Sequence, residues 1–149
     1  NLFQGSENSV FNKPIVGRGA AFADYDKDGD LDVLITENAG PVHLWRNDLY
    51  NESSRSNNNF LRVKLRGSIS NRDGIGSLIE LFAGDKTFSH RIRTGSSYLS
   101  QSEKVATFGL SDATIIDSLN IHWPSGIIDT FSRLTPNKQL IITEGETLE

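Results

Sequence analysis

The chain of 149 residues contains no cysteine and no methionine. Without cysteine, disulfide frameworks, thiolate metal sites and thiol catalysis are excluded. No apolar run approaches the roughly 20 residues of a membrane-spanning helix, and no basic-then-apolar signal segment opens the chain. We therefore expect no membrane span. Because the chain begins at Asn1 rather than at methionine, we expect a piece of a longer protein, cut on its N-terminal side.

The chain also lacks a surplus of basic residues. Lys and Arg together number 15 against 19 Asp and Glu, and the formal net charge is −4. Proteins that bind nucleic acids neutralise phosphates with clustered basic residues, so we expect no nucleic-acid partner. With 36% hydrophobic residues, a chain of this length can bury a core without disulfide bonds or an obligatory metal.

Short alternating segments predict an all-β fold. Residues 60–66 alternate apolar with basic side chains, the period of two that is typical of a strand with one buried face. Further strands are predicted at residues 31–36, 42–46, 77–82, 87–93, 105–108, 118–123, 127–131 and 139–143. Turn sequences separate them, among them residues 123–126 (WPSG), which suit a type I turn. This even spacing favours an antiparallel β-sandwich or barrel-like domain.

Composition divides the chain into four segments. Residues 60–146 hold most predicted strands and form a β domain, and residues 48–59, rich in Asn, Ser and charge, form a polar linker. Residues 1–47 contain only two predicted strands, and an isolated hairpin is marginally stable in water. We therefore expect an incomplete unit that packs on the β domain or on upstream sequence. Residues 147–149 are interpreted as a tail that cloning could have left.

The clearest chemical signal is a run of aspartates at alternate positions. They are Asp24, Asp26, Asp28, Asp30 and Asp32. Carboxylates this close repel one another unless a cation neutralises them. Calcium binds about six to eight oxygens, and calcium loops supply them from positions 1, 3, 5, 7 and 9, with glycine at position 6. Gly29 falls at that sixth position, so the spacing predicts a calcium loop in which Asp30 contributes its backbone carbonyl.

The loop does not continue as an EF-hand. An EF-hand needs a bidentate glutamate at position 12, followed by a helix. Here position 12 is Ile35, and residues 33–36 resemble a strand. We expect the loop to open a β-hairpin, with Asp32 closing the metal site. Magnesium is a weaker competitor because it dehydrates reluctantly, and the other alternative is an Asp/Gly turn without metal.

Two parts of the chain resemble known families. Residues 17–24 (GRGAAFAD), followed by the aspartate loop and DVLIT, resemble an FG-GAP/VCBS repeat, the calcium-bearing blade of integrin-α-like β-propellers. Residues 60–145 resemble an ASPIC/UnbV domain, as in cartilage acidic protein-like secreted proteins. The matching segments are 71–76 (NRDGIG), 95–101 (GSSYLSQ), 108–110 (FGL) and 123–126 (WPSG).

The resemblance implies a secreted protein that is extracellular, periplasmic or attached to the cell surface, with roles such as cell adhesion. A propeller has about 4–8 blades, so residues 1–47 would be a partial blade whose partners are the propeller blades upstream. The resemblance also implies that the five aspartates bind calcium. It supplies no catalytic residue.

Several basic and aromatic side chains are candidates for ligand binding. The candidates are Arg62, Lys64, Arg66, Arg91, Arg93 and Trp123. If their strands are neighbours, the basic residues form a patch for an acidic polysaccharide or a partner domain; the alternative is a solvated outer face. Trp45, Trp123 and Tyr98 could stack on sugar rings, although core packing is the favoured interpretation for all three.

No catalytic constellation is found in the sequence. His43, His90 and His122 are isolated from one another and are predicted to be structural. We therefore expect a non-catalytic calcium-binding module that serves protein or matrix recognition. A carbohydrate-binding module is the alternative. A hydrolase or enzyme accessory domain is least favoured, because five carboxylates around one calcium leave little open coordination.

Overall fold

The computed structural model describes residues 14–47 and 58–146, which form ten β-strands and no helix. The strands are β1 (Gly17–Ala23), β2 (Asp32–Glu37), β3 (Val42–Trp45), β4 (Asn59–Arg66), β5 (Leu78–Ala83), β6 (Lys86–Arg91), β7 (Val105–Ser111), β8 (Ile116–His122), β9 (Ile128–Leu134) and β10 (Lys138–Thr143). The all-β prediction is confirmed. Almost all of the predicted linker and the whole predicted tail lie outside the described residues. Within the described ranges, no helix is long and apolar enough to span a membrane.

The described strands form three open sheets. The first has the order β1-β2-β3, the second β10-β4-β7 and the third β6-β5-β8-β9. No closed barrel forms within these ranges. The prediction of a wholly antiparallel domain is wrong at one pair, because β10 runs parallel to β4 with Lys138 opposite Leu61. After β9 the chain crosses from the third sheet to the second and joins its edge in the direction of β4.

The second and third sheets share one hydrophobic core. On β4, Leu61 and Val63 are fully buried whereas Lys64 is exposed, as the predicted alternation requires. From the third sheet, Ile79 and Leu119 are fully buried in the same cluster. Full burial of a large aliphatic side chain stabilises by about 1.5–3 kcal/mol, so this core holds the two sheets together.

Strand β1 was not predicted from the sequence. Its residues, GRGAAFA, are mostly small, and glycine and alanine are depleted in strands. The structure explains one of these glycines. A Cβ atom at Gly19 would overlap the hydroxyl of Ser100 and crowd the backbone oxygen of Tyr98, so only glycine allows this close approach.

The outer edge of β1 is covered by the segment that precedes β7. The backbone N–H of Ala20 donates to Ser97 Oγ (3.3 Å), and that of Phe22 donates to Ser102 Oγ (3.1 Å). In return, the N–H of Glu103 donates to the backbone oxygen of Phe22 (3.0 Å). The first sheet therefore packs on the β domain through backbone groups that would otherwise be unpaired at a sheet edge.

Candidate functional site

The loop between β1 and β2 winds around the carboxylate of Asp24. Asp24 Oδ1 accepts the backbone N–H of Asp28 (3.1 Å), and Oδ2 accepts that of Gly29 (3.0 Å). Gly29 has a φ of +102°, which a side chain rarely allows. The predicted sharp turn at position 6 is thus confirmed, and it folds the aspartate run back on itself.

Three of the five predicted calcium ligands lie together. One carboxylate oxygen from each of Asp24, Asp26 and Asp28 lies within 4.8 Å of the others. Burial raises the pKa of Asp28, and the charges of Asp26 and Asp24 raise it further, although a hydrogen bond from the backbone of Asp30 acts the other way. On balance, the surroundings of Asp28 therefore disfavour the charged form of its carboxyl group.

Asp30 and Asp32 are not part of this three-residue group. Asp32 is only 2% exposed. Its Oδ2 accepts the N–H of Tyr25 (3.0 Å), and its Oδ1 accepts the N–H of Asn47 (2.8 Å). Asp32 thus closes the loop by tying its start to Asn47, the second residue after β3.

A buried arginine joins the aspartate loop to the β domain. Arg62 Nη1 lies 3.1 Å from Asp24 Oδ2, and Nη2 lies 2.6 Å from Glu103 Oε2. The backbone N–H of Asp24 also donates to Glu103 Oε1 (3.2 Å). We call Asp24, Arg62 and Glu103 the buried triad. It contains one cation and two carboxylates. Both carboxylates pair with Arg62, so its positive charge is not available to a ligand.

Neither prediction for Arg62 is correct, because its side chain is only 5% exposed and lies neither in a surface patch nor on a solvated face. β4 is the central strand of its sheet, and the cross-strand neighbours Thr107 and Gln139 also accept hydrogen bonds from the guanidinium (3.4 and 3.0 Å). The alternation of β4 placed Arg62 on the outer face correctly. What the alternation could not reveal is that the aspartate loop covers that face.

The other basic candidates are exposed and lie in separate places. Lys64 and Arg66 belong to the second sheet, whereas Arg91 ends a strand of the third sheet and Arg93 follows it. Since β4 and β6 are not neighbours, the structure does not unite the two sets in one strand pair.

The three aromatic candidates differ in burial: Trp123 is buried, Trp45 on β3 is half-buried, and Tyr98 is exposed. Core packing is confirmed for Trp123, which is 4% exposed and donates its indole N–H to Asp129 Oδ2 (2.7 Å). This position leaves no ring face for a sugar. Core packing is wrong for Tyr98, which is 67% exposed on the segment before β7. Two of the histidines have carboxylate neighbours that fit the predicted structural role: Glu37 lies 3.0 Å from His43, and Glu80 lies 2.8 Å from His122.

Sequence reasoning missed Glu144, which follows β10 and is 3% exposed. Its Oε2 accepts the backbone N–H groups of Ser68 (3.0 Å), Ile69 (2.9 Å) and Ser70 (2.7 Å). Its Oε1 accepts the hydroxyls of Ser70 (2.8 Å) and Ser125 (2.5 Å). Burial alone would raise the pKa of Glu144, but the bonds from Ser125, Ser70 and Ile69 outweigh it and lower the pKa to about 2. This carboxylate clamps two loops to the last strand.

A family model described as ASPIC and UnbV matches residues 67–149, which is more than half of the chain. The match begins directly after β4 and includes Glu144 and the segment that covers β1. A search among curated proteins finds no match. The aspartate loop lies outside the matched residues, so the resemblance to an FG-GAP/VCBS repeat stays a prediction.

Proposed function

The chain belongs to the ASPIC and UnbV family, and from this premise we propose that it is a non-catalytic recognition module stabilised by calcium in its aspartate loop. One observation carries the calcium assignment: carboxylate oxygens of Asp24, Asp26 and Asp28 lie within 4.8 Å of one another. Their alternate spacing and the turn at Gly29 match the geometry by which calcium loops gather their ligands.

The donor set fits calcium in its chemistry. All three side chains offer hard oxygens, which calcium prefers, and calcium tolerates irregular coordination completed by backbone carbonyls and water. Arg62 already compensates Asp24, and Arg46 Nε lies 3.9 Å from Asp26 Oδ2 in an exposed pair. These cations reduce the demand for a metal, so we expect weak affinity. A millimolar site still fills outside the cell, which agrees with an extracellular, periplasmic or cell-surface location.

Bound calcium would stabilise the position of the first sheet on the β domain. The loop that would hold it also contacts β4 through Gly29, because a Cβ atom there would overlap the ring of Phe60. Neutralising the loop therefore strengthens a contact that joins the two parts of the chain. Recognition of an extracellular protein or matrix component would then use the surface of the β domain, and propeller blades upstream would be partners within the parent protein.

A melting experiment tests the calcium assignment. A ligand present at about 100 times its Kd stabilises the native state by about 2.7 kcal/mol. In a protein of this size, that raises Tm by about 5–10 °C. We expect the shift on adding calcium to a chelator-treated sample, and its loss in the double variant Asp26→Ala, Asp28→Ala. Asp85→Ala, an exposed turn residue, is the control. An unchanged Tm in calcium and in chelator would contradict the proposal.

Carbohydrate binding is the second candidate function. The observation that favours it is the exposure of Tyr98, whose ring is available for stacking on a sugar. It is compatible with the calcium site, because the two features use different parts of the structure.

A further inference from the structure

A cleft opens beside the segment that leads from β6 to β7. Its volume is about 340 Å³, which lies at the lower end of the range of about 300–1,000 Å³ for small-molecule sites. The residues that line it include His90, Arg93, Ser96, Gln101, Ser102 and Lys104. We call it the 90–104 cleft. It adjoins the covered edge of β1, since Ser102 belongs to both.

The charge lining this cleft is positive on balance. Arg93 is exposed and has no hydrogen bond or ion pair with any other described residue. Lys104 pairs with Asp73. Glu103 also lines the cleft, but both of its oxygens bond to Arg62, which it shares with Asp24, so its charge is compensated in part. Partial burial lowers the pKa of His90, and the charge of Arg93 lowers it further, which places that guanidinium close to the imidazole. Arg93 is thus a cation available to an anionic ligand.

The neutral part of the lining is rich in hydroxyl and amide groups. Ser96 Oγ and Ser102 Oγ lie 2.7 Å apart and share one hydrogen bond. Ser102 Oγ also accepts the backbone N–H of Phe22, and Ser96 Oγ accepts that of Ser102, so one hydroxyl keeps a free donor position and the other keeps a free acceptor position. The amide of Gln101 bridges the backbone N–H of Gly95 (2.9 Å) and the backbone oxygen of Ser102 (2.6 Å). Such groups pair well with the hydroxyls of a sugar.

The same segment presents an aromatic ring to solvent. A bridge between Ser97 and Ser100 forms a tight turn whose central residues are Tyr98 and Leu99. Leu99 has a φ of +47°, a conformation that is unfavourable for leucine. Both side chains are largely exposed, at 67% and 89%. The turn therefore holds Tyr98 out of the core, two residues from Ser96.

We propose that the 90–104 cleft binds a carboxylate-bearing sugar, such as one hexuronate unit of an acidic polysaccharide. The carboxylate pairs with Arg93, the ring hydroxyls bond to Ser96 and Ser102, and Tyr98 stacks on a neighbouring sugar. An acidic peptide fits less well, because extended peptides use an open sheet edge with side-chain pockets. This assignment rests on the recognition role proposed above and is independent of calcium binding.

Calorimetry of the whole chain with an oligogalacturonate, a neutral galactose oligomer and an acidic peptide tests the assignment. We expect only the uronate to bind, and we expect Arg93→Gln to weaken it by about tenfold or more, since a charge-assisted pair is lost. Arg66→Gln removes the same charge from an exposed position outside the cleft and should leave the affinity unchanged. Tyr98→Ala should weaken binding of the oligogalacturonate more than binding of monomeric galacturonate, titrated as a fourth ligand.

Three outcomes would overturn the sugar assignment. These are equal binding of the neutral oligomer, equal losses in Arg93→Gln and Arg66→Gln, and absence of uronate binding. Binding of the acidic peptide alone would keep the recognition role while removing the sugar. Repeating the titration in chelator tests whether uronate binding depends on the metal. If the calcium assignment fails, Tm is the same in calcium and in chelator, but the uronate still binds.

Discussion

Replacing Arg62 with methionine removes the cation between two carboxylates of the buried triad. The side chain of Asp24 is 0% exposed and that of Glu103 is 19% exposed, so neither can fully regain water. Removing one partner of a buried ion pair costs about 3–5 kcal/mol. Asp24 keeps its hydrogen bonds from Asp28 and Gly29, and Glu103 keeps partial hydration. We therefore expect a loss of about 3 kcal/mol in the free energy of unfolding.

Urea denaturation in the presence of chelator measures this loss without interference from metal. Arg66→Met is the matched control, because Arg66 lies on the same strand and is exposed. Its substitution should change the free energy of unfolding by about 0.5 kcal/mol or less. The double variant Arg62→Met, Glu103→Met should lose less than the sum of the two single variants, because the two residues are coupled. If Arg62→Met costs no more than Arg66→Met, the triad does not join the loop to the domain as we describe.

Two further predictions concern Glu144 and Gly29. The depressed pKa of Glu144, about 2 in the folded chain against 4.5, implies a stabilisation of about 1–3 kcal/mol once solvent screening is allowed for, present above about pH 4.5 and lost as pH falls through 2. Glu144→Gln should remove most of this pH dependence, which denaturation at several pH values measures as the free energy of unfolding. If the free energies of the wild type and the variant fall in parallel as pH is lowered, the prediction is refuted. Gly29→Ala should destabilise by about 1–3 kcal/mol, because the methyl group overlaps Phe60 as well as requiring a positive φ. Gly84 also has a positive φ (+59°), but a Cβ atom added there would meet no atom within 4 Å, so Gly84→Ala should lose less; equal losses would exclude the overlap at Gly29.

The strands of the β domain were predictable because burial on one face imposes a period of two. That signal is clear in β4, where Leu61 and Val63 alternate with basic residues. It fails for β1, whose edge is stabilised by backbone bonds to Ser97 and Ser102 rather than by apolar side chains. The parallel pairing of β10 with β4 was equally hidden, because alternation does not reveal which strands become neighbours.

The candidate site was predictable where spacing alone determines geometry. The turn at Gly29 brings Asp24, Asp26 and Asp28 together, as the loop pattern indicates. The roles of Arg62 and Glu144 were not predictable, because each depends on partners that are distant in the chain: Glu103 lies 41 residues from Arg62, and Ser68 lies 76 residues from Glu144. A basic residue on a strand and an acidic residue after one normally face solvent, and only the tertiary contacts reveal their burial.

Calcium titration of the chelator-treated chain by calorimetry tests the central proposal most directly. We predict one saturable site per chain with a Kd at or below about 1 mM, and its loss in the double variant Asp26→Ala, Asp28→Ala. Absence of saturable binding up to about 10 mM calcium, a level that fills even the weak sites of extracellular modules, would contradict it.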